Sequence, residues 1–261
     1  MIRLVAIDLD GTLLDREAKV PPEGAARIRA AAEAGIHVVI ITTRIAVSTR
    51  RICRELGLNG PMVCSNGAEI YAATEGPLLV SLRIPMEPAR MIARMADENG
   101  WSLWMTFGDR VRRVRSRERN RSAVRDYVTF VDRNIDAMTE EPVTIFTGNL
   151  EAIRPVETAC AADGRCRTEV YYDARGAAEA VGVFAREADK GTALRYVADR
   201  LGVERSGILA IGDNINDIPM LELAGTAVAM DNAVERVKRA ADAVAPPNDR
   251  EGVAWALRRY L

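Results

Sequence analysis

Short, uninterrupted apolar runs that each stop at polar residues constrain this chain more than any other feature. Leu4-Val5-Ala6-Ile7 ends in Asp8 and Asp10, Val38-Val39-Ile40-Ile41 in Thr42-Thr43-Arg44, Pro61-Met62-Val63-Cys64 in Ser65-Asn66-Gly67, and Ile208-Leu209-Ala210-Ile211 in Gly212-Asp213-Asn214. A run of four apolar residues without alternation fits a strand covered on both faces, as in a parallel sheet with helices on either side. Helical stretches fall between the runs. Pro21-Pro22-Glu23 opens a helix through Ala34 that Gly35 stops, and a second spans Ala46–Leu56 before Gly57. Later come helices at Thr192–Leu201, Ile218–Leu223 and Val234–Ala241, a strand at Thr226–Met230, and a closing helix over Gly252–Leu261 with Trp255 and Leu257 inward.

The middle of the chain has a different rhythm. Pro88–Asn99 and Leu150–Ala161 predict helices, Trp101–Met105 begins a strand, Gly108-Asp109 turns into Val111–Val114, and Val143–Thr147 and Val181–Phe184 predict further strands. Hairpins inside and strand–helix alternation outside predict an α+β insertion, residues 83–185, in an α/β domain made of residues 1–82 and 186–261. A chain of 261 residues with 48% hydrophobic residues can bury such a core, and its net charge of −1 does not suit bulk binding to nucleic acid or to a membrane surface. Cys53, Cys64, Cys160 and Cys166 lie in unrelated contexts and form no Cys-x-x-Cys pair, so reduced thiols and a cytoplasmic location are expected. The start shows no basic leader before an apolar stretch, and no run reaches the roughly 20 residues that span a bilayer.

His37 is the only histidine and opens an apolar run, which leaves histidine triads and histidine metal sites without material. Carboxylates, a lysine, hydroxyls and backbone groups remain. Alternate strand residues share a face, so Asp8 and Asp10 leave the sheet pointing the same way and repel at the edge of a core. A divalent cation or a retained proton relieves that repulsion. In an open parallel sheet the carboxyl ends of the strands share one edge, where ligands bind beside the topological switch point. Four polar strand ends therefore converge. Lys190 stands at a predicted helix start, an unfavourable place for a cation unless an anion joins it there. Asp217 suits either the first turn of a helix or a reach back towards a metal or Lys190.

Together these segments resemble the haloacid-dehalogenase superfamily, and within it the Cof-type (type IIB) sugar-phosphate phosphatases, with similarity to phosphoglycolate phosphatase-like members. The motifs are Asp8-Leu9-Asp10-Gly11-Thr12-Leu13-Leu14, Thr42-Thr43-Arg44, Ser65-Asn66-Gly67-Ala68, Lys190-Gly191-Thr192-Ala193-Leu194, Gly212-Asp213-Asn214-Ile215-Asn216-Asp217 and Asn248-Asp249-Arg250-Glu251-Gly252-Val253. They stand in the family's order and spacing. The resemblance implies a Rossmann-like doubly wound parallel sheet with an inserted α+β cap that closes over the site and selects the leaving group. It implies a Mg2+-dependent phosphatase acting on a small phosphorylated metabolite, with Asp8 as nucleophile and Asp10 as general acid and then base. Mg2+ would be held by Asp8, the Asp10 carbonyl and Asp213, with Asp217 nearby. Thr42, Thr43, Lys190 and Asn216 would serve the phosphoryl group. A monomer or homodimer is expected, with no nucleic-acid or membrane partner.

Two positions depart from the family pattern: Thr43 stands where Gly is usual, and Asp231 stands where Gly usually precedes the Asn232-Ala233 pair. An added carboxylate at 231 would repel some substrates or select a cationic one. In the insertion, Arg110, Arg112, Arg113, Arg115, Arg117, Arg119, Arg121 and Arg125 form either a solvated face or contacts to an anionic substrate, and Trp101 and Trp104 are expected in the cap core. Two other functions fit the same motifs: a phosphomutase on this scaffold, and a receiver-like module that accepts phosphate without turnover.

Overall fold

The computed structural model describes residues 1–114, 126–172 and 176–261. In chain order the elements are β1 (Leu4–Ile7), α1 (Pro22–Glu33), β2 (His37–Ile41), α2 (Ala46–Leu56), β3 (Met62–Cys64), β4 (Glu69–Tyr71), β5 (Leu78–Ser81), α3 (Met86–Asn99), β6 (Trp104–Phe107), β7 (Arg110–Val114) and β8 (Val128–Val131). They continue with β9 (Thr144–Thr147), α4 (Ile153–Asp163), β10 (Cys166–Tyr172), β11 (Ala178–Ala185), α5 (Lys190–Leu201), β12 (Ile208–Gly212), α6 (Ile218–Leu223), β13 (Thr226–Met230), α7 (Glu235–Arg239), β14 (Ala243–Ala245) and α8 (Gly252–Tyr260). Two compact units result, one of Met1–Val80 with Ala188–Leu261 and one of Ser81–Glu187.

The first unit is built on an eight-stranded sheet in the order β14-β13-β12-β1-β2-β3-β4-β5. The pairs from β14 to β3 are parallel, and β4 returns antiparallel to β3. All four residues of β1 are buried, and alternate ones face opposite cores. Val5 and Ile7 meet Ile28 of α1, Leu56 of α2 and Leu257 of α8, while Leu4 and Ala6 meet Leu194 and Val197 of α5 and Val237 of α7. Helices on both faces require both sides of the strand to be apolar, which is why it reads as an unbroken run. Truncating Ile7 to Ala would cost about 2–5 kcal/mol. The chain order reverses around β1, whose neighbours are β2 and β12, and this places the switch point where Asp8 leaves the sheet.

The second unit has a six-stranded sheet, β10-β11-β9-β6-β7-β8, antiparallel apart from the β7–β8 pair. Ile92 and Ala96 of α3 and Val156 and Cys160 of α4 bury Met105, Phe107, Ile145 and Val183 of the sheet. The Gly108 turn joins β6 to β7 as expected, with Trp104 opposite Arg113. Trp101 lies in the core, but Trp104 does not: it is 42% exposed and carries the Arg113 guanidinium 4.1 Å from its ring centre. Strand alternation explains the difference, since Met105 rather than Trp104 faces the helices. Arg110 and Arg112 both reach Glu140, at 3.3 and 3.1 Å. Arg115, Arg117, Arg119, Arg121 and Arg125 lie outside the described residues.

All four cysteines are free and buried. Cys160 and Cys166 lie together in the second unit's core rather than in unrelated contexts, because Gly164 turns the chain from α4 straight into β10. No helix among the described residues is long and apolar enough to cross a membrane.

Candidate active site

Asp8 follows β1 directly and keeps 4% of its surface exposed. A carboxylate held this far from water needs a partner, and Lys190 provides one, with its Nζ 2.6 Å from Asp8 Oδ1 and 2.5 Å from Asp217 Oδ1. Lys190 is itself 1% exposed, at the first turn of α5. The helix begins two residues earlier than the apolar pattern suggests because Asp189 caps it, its carboxylate accepting the Thr192 amide at 2.8 Å. Asp189 thus supplies a carboxylate at that terminus. The lysine's charge is met by Asp8 and Asp217.

Asp217 is fully buried and positions its neighbours. Its Oδ2 accepts the amides of Asp213 and Asn214, each at 2.9 Å, while Oδ1 takes the lysine. These bonds hold the loop after β12 so that Asp213 faces Asp8. Thr12 donates to Asp213 Oδ1 at 2.7 Å. Gly11, at φ 84°, lies against the same carboxylate, and a side chain there would collide with it. One carboxylate oxygen each from Asp8, Asp213 and Asp217 fall within 4.8 Å of one another. Asp8 thus lies beside both Lys190 and Asp213.

Three carboxylates against one ammonium leave negative charge in excess, and the protonation equilibria reflect this. Burial drives the Asp8 carboxyl from 3.8 up to about 7, with Lys190 opposing and Asp217 and Asp10 adding to the rise. Asp213 stands well above the usual carboxylate range, first through burial and then through Asp8 and Asp217. Burial alone would lower the Lys190 ammonium, but the charges of Asp217 and Asp8 outweigh it and hold the lysine above its ordinary value. Hard oxygen donors carrying uncompensated charge fit a hard divalent cation.

Asp10 lies apart from this buried cluster. Its carboxylate is half exposed and paired through both oxygens with Arg44, at 2.7 Å to Nε and 2.5 Å to Nη2. The sequence motifs gave Arg44 no role of its own, since 34 positions separate it from Asp10 and only the adjacency of β1 and β2 brings them together. Thr42 is buried at the end of β2, where its hydroxyl oxygen accepts the Arg44 amide at 3.1 Å. Thr43 is half-buried beside it. Asn216 is buried, and its Nδ2 donates to Asn66 Oδ1 at 3.0 Å. Asp231 is exposed and pairs with Lys238 at 2.9 Å.

The sequence reading also missed a clamp on the loop behind the first strand. Asn232 Nδ2 donates to the Gly11 carbonyl at 2.8 Å, Asn248 donates its backbone N–H to Asn232 Oδ1 at 3.0 Å, and Asn248 Nδ2 reaches the Leu14 carbonyl at 2.7 Å. The motif segments carrying Asn232 and Asn248 were the available signal, but their bonds to Gly11 and Leu14 join residues more than 200 positions apart.

A profile of the haloacid dehalogenase-like hydrolases matches residues 5–257. The chain is 28% identical to the 5-amino-6-(5-phospho-D-ribitylamino)uracil phosphatase YcsE of Bacillus subtilis, over 100% of this chain and 96% of that protein. Phosphatase YwpJ of Bacillus subtilis is 30% identical, with 100% of each chain covered. Among solved structures, a haloacid dehalogenase-like hydrolase from B. subtilis matches with a TM-score of 0.87 at 26% identity, again over 100% of both chains. The chain belongs to the haloacid dehalogenase-like hydrolases, in their Cof-type phosphatase branch, and is a phosphoric monoester hydrolase.

Proposed function

We propose that the protein hydrolyses a small phosphorylated metabolite, a sugar phosphate or similar organic phosphomonoester, through an aspartyl-phosphate formed on Asp8. The observation that carries this reading is the buried Asp8 carboxylate, bonded to Lys190 and crowded by Asp213 and Asp217. An Asp8 oxygen attacks phosphorus as the bond to the leaving alcohol breaks, and protonated Asp10 gives its proton to that alcohol oxygen. Asp10 then takes a proton from water as the water oxygen attacks the same phosphorus, which releases inorganic phosphate and regenerates Asp8. A carboxylate nucleophile divides one difficult displacement into two easier ones.

Asp8, Asp213 and the Asp10 carbonyl would hold Mg2+, with Asp217 supplying charge and fixing the Asp213 loop. When bound, the ion offsets the carboxylate excess and the charge of the phosphoryl oxygens. Lys190, Thr42, Thr43 and Asn216 serve those oxygens, and Arg44 holds the plane of the Asp10 carboxylate. The second unit acts as the cap that selects the leaving group. The enzyme works in the cytoplasm, where its buried thiols stay reduced.

Purified protein tested with Mg2+ against a panel of phosphorylated metabolites should release inorganic phosphate. Isomerised sugar phosphate without release would instead support a mutase, and a stable phosphorylated protein without turnover would support a receiver-like module. Metal-independent turnover would contradict the mechanism.

A further inference from the structure

The turn after β3 has backbone that side chains rarely adopt. Ser65, Asn66 and Gly67 take left-handed φ values of 53°, 58° and 91° in succession. Two consecutive non-glycine residues in that region require surroundings that over-determine them, and such strain gathers at functional sites. Three site segments meet here. The Asn66 amide donates to the Thr42 carbonyl and the Ser65 amide to the Arg44 carbonyl, each at 2.9 Å. Gly67 lies against the backbone of Asp189, where any side chain would collide with the residue that caps α5 ahead of Lys190. The loop after β12 sends Asn216 Nδ2 to Asn66 Oδ1, with both residues buried.

The side-chain chemistry is narrower than the backbone contacts. Asn66 Nδ2 is buried and has no partner among the described residues, so the bond from Asn216 is the one side-chain hydrogen bond that Asn66 makes there. A polar group left buried in this way carries a penalty that an apolar residue would avoid. Asparagine suits the left-handed backbone, but glycine would suit it better. The remaining use of the amide is to accept from Asn216. Asn216 Nδ2 has two hydrogens on a planar amide; when one is committed to Asn66, the direction of the other is set.

We propose that Asn66 is a positioning residue whose side-chain carbonyl orients the amide of Asn216 towards a phosphoryl oxygen. The inference rests on the phosphoryl role assigned to Asn216 above and adds a residue that acts through it. A donor held in place before reaction needs no reorganisation as charge develops, and this is where oriented dipoles contribute to rate.

The test is a double-mutant cycle with p-nitrophenyl phosphate and Mg2+, using Asn66→Gly, Asn216→Ala and the pair. Glycine accepts the φ of position 66, so the fold should survive, with an unfolding midpoint close to wild type. Asn66→Gly should lower kcat/KM about tenfold, well below the direct loss of an oxyanion donor, and should weaken inhibition by inorganic phosphate. In the Asn216→Ala background it should cost nothing further. Additive losses, or wild-type kinetics in Asn66→Gly, would overturn the proposal, since a purely structural turn has no reason to act through Asn216. If Asn66→Gly does not fold, Asn66→Asp keeps an acceptor oxygen and should preserve the full cost of Asn216→Ala; a smaller cost overturns the proposal. Wild-type protein without turnover would overturn the phosphatase reading and this inference together, whereas turnover with additive losses overturns this inference alone.

Discussion

The two units spend similar charges differently. In the first, Asp8, Asp217 and Lys190 are withdrawn from water and answer to one another, with more acid than base. In the second, Arg110 and Arg112 meet Glu140, and Arg165 meets Glu87 and Asp163, in pairs that water still reaches. Exposed pairs gain little because solvent already stabilises each member, whereas buried charges depend on the partner for nearly everything. Chemistry is therefore expected where desolvation and charge excess coincide. An abundance of charge, as in the arginine-rich stretch, does not by itself make a catalytic centre.

Replacement of Asp8, the proposed nucleophile, should divide the two regions most sharply. Asp8→Asn should lower turnover of an aryl phosphate by about 10⁴-fold or more, on the scale of other nucleophile deletions, with an unchanged circular dichroism spectrum. Near-normal turnover would remove Asp8 from the mechanism. Chelation should reduce activity to background, and added Mg2+ should restore it.

Lys190→Ala should come next, because it leaves Asp8 and Asp217 without their cation. Its expected cost is about 3–5 kcal/mol in chemical denaturation, the range for one partner lost from a buried pair. A loss below about 1 kcal/mol would place the lysine on the same footing as a surface pair.

Acidity should then act in the direction opposite to common acid denaturation. In the presence of chelator, the Asp8 contribution should fall as pH rises through about 7. Folded Asp8 holds its proton up to about 7, while the unfolded carboxyl releases it near 3.8, so the folded state binds more protons across that window. The contribution is complete below the unfolded value and is lost through the folded one. Asp213 works with the same sign. The wild-type minus Asp8→Asn difference in unfolding free energy, measured from pH 4 to 8, should show this decline, and a flat difference would refute it. The smallest effect belongs to the second unit: Arg110→Ala, at an exposed pair, should cost under about 1 kcal/mol in the same assay.

Legibility followed the same boundary. The strands that run through the middle of the first sheet were readable because burial on both faces leaves an unbroken apolar run, as in Leu4–Ile7 and Ile208–Ile211. β4 was not, since its three residues include Glu69, and β14 was not, since Ala243-Val244-Ala245 at a sheet edge carries little signal. The start of α5 was placed two residues late because Asp189 acts as a cap, a role that local geometry assigns. Trp104 was expected in a core by residue type and is exposed by strand parity.

By itself, the order of residues determined that polar groups would gather at the carboxyl edge of a parallel sheet, because strand periodicity and helix stops are local properties. Which oxygen meets which nitrogen was decided only on folding. Asp10 found Arg44, Asn216 found Asn66 and Asn232 found Gly11 across separations of 34, 150 and 221 residues. The alignment of side chains that far apart depends on sheet register and loop packing, and no short stretch of sequence contains either.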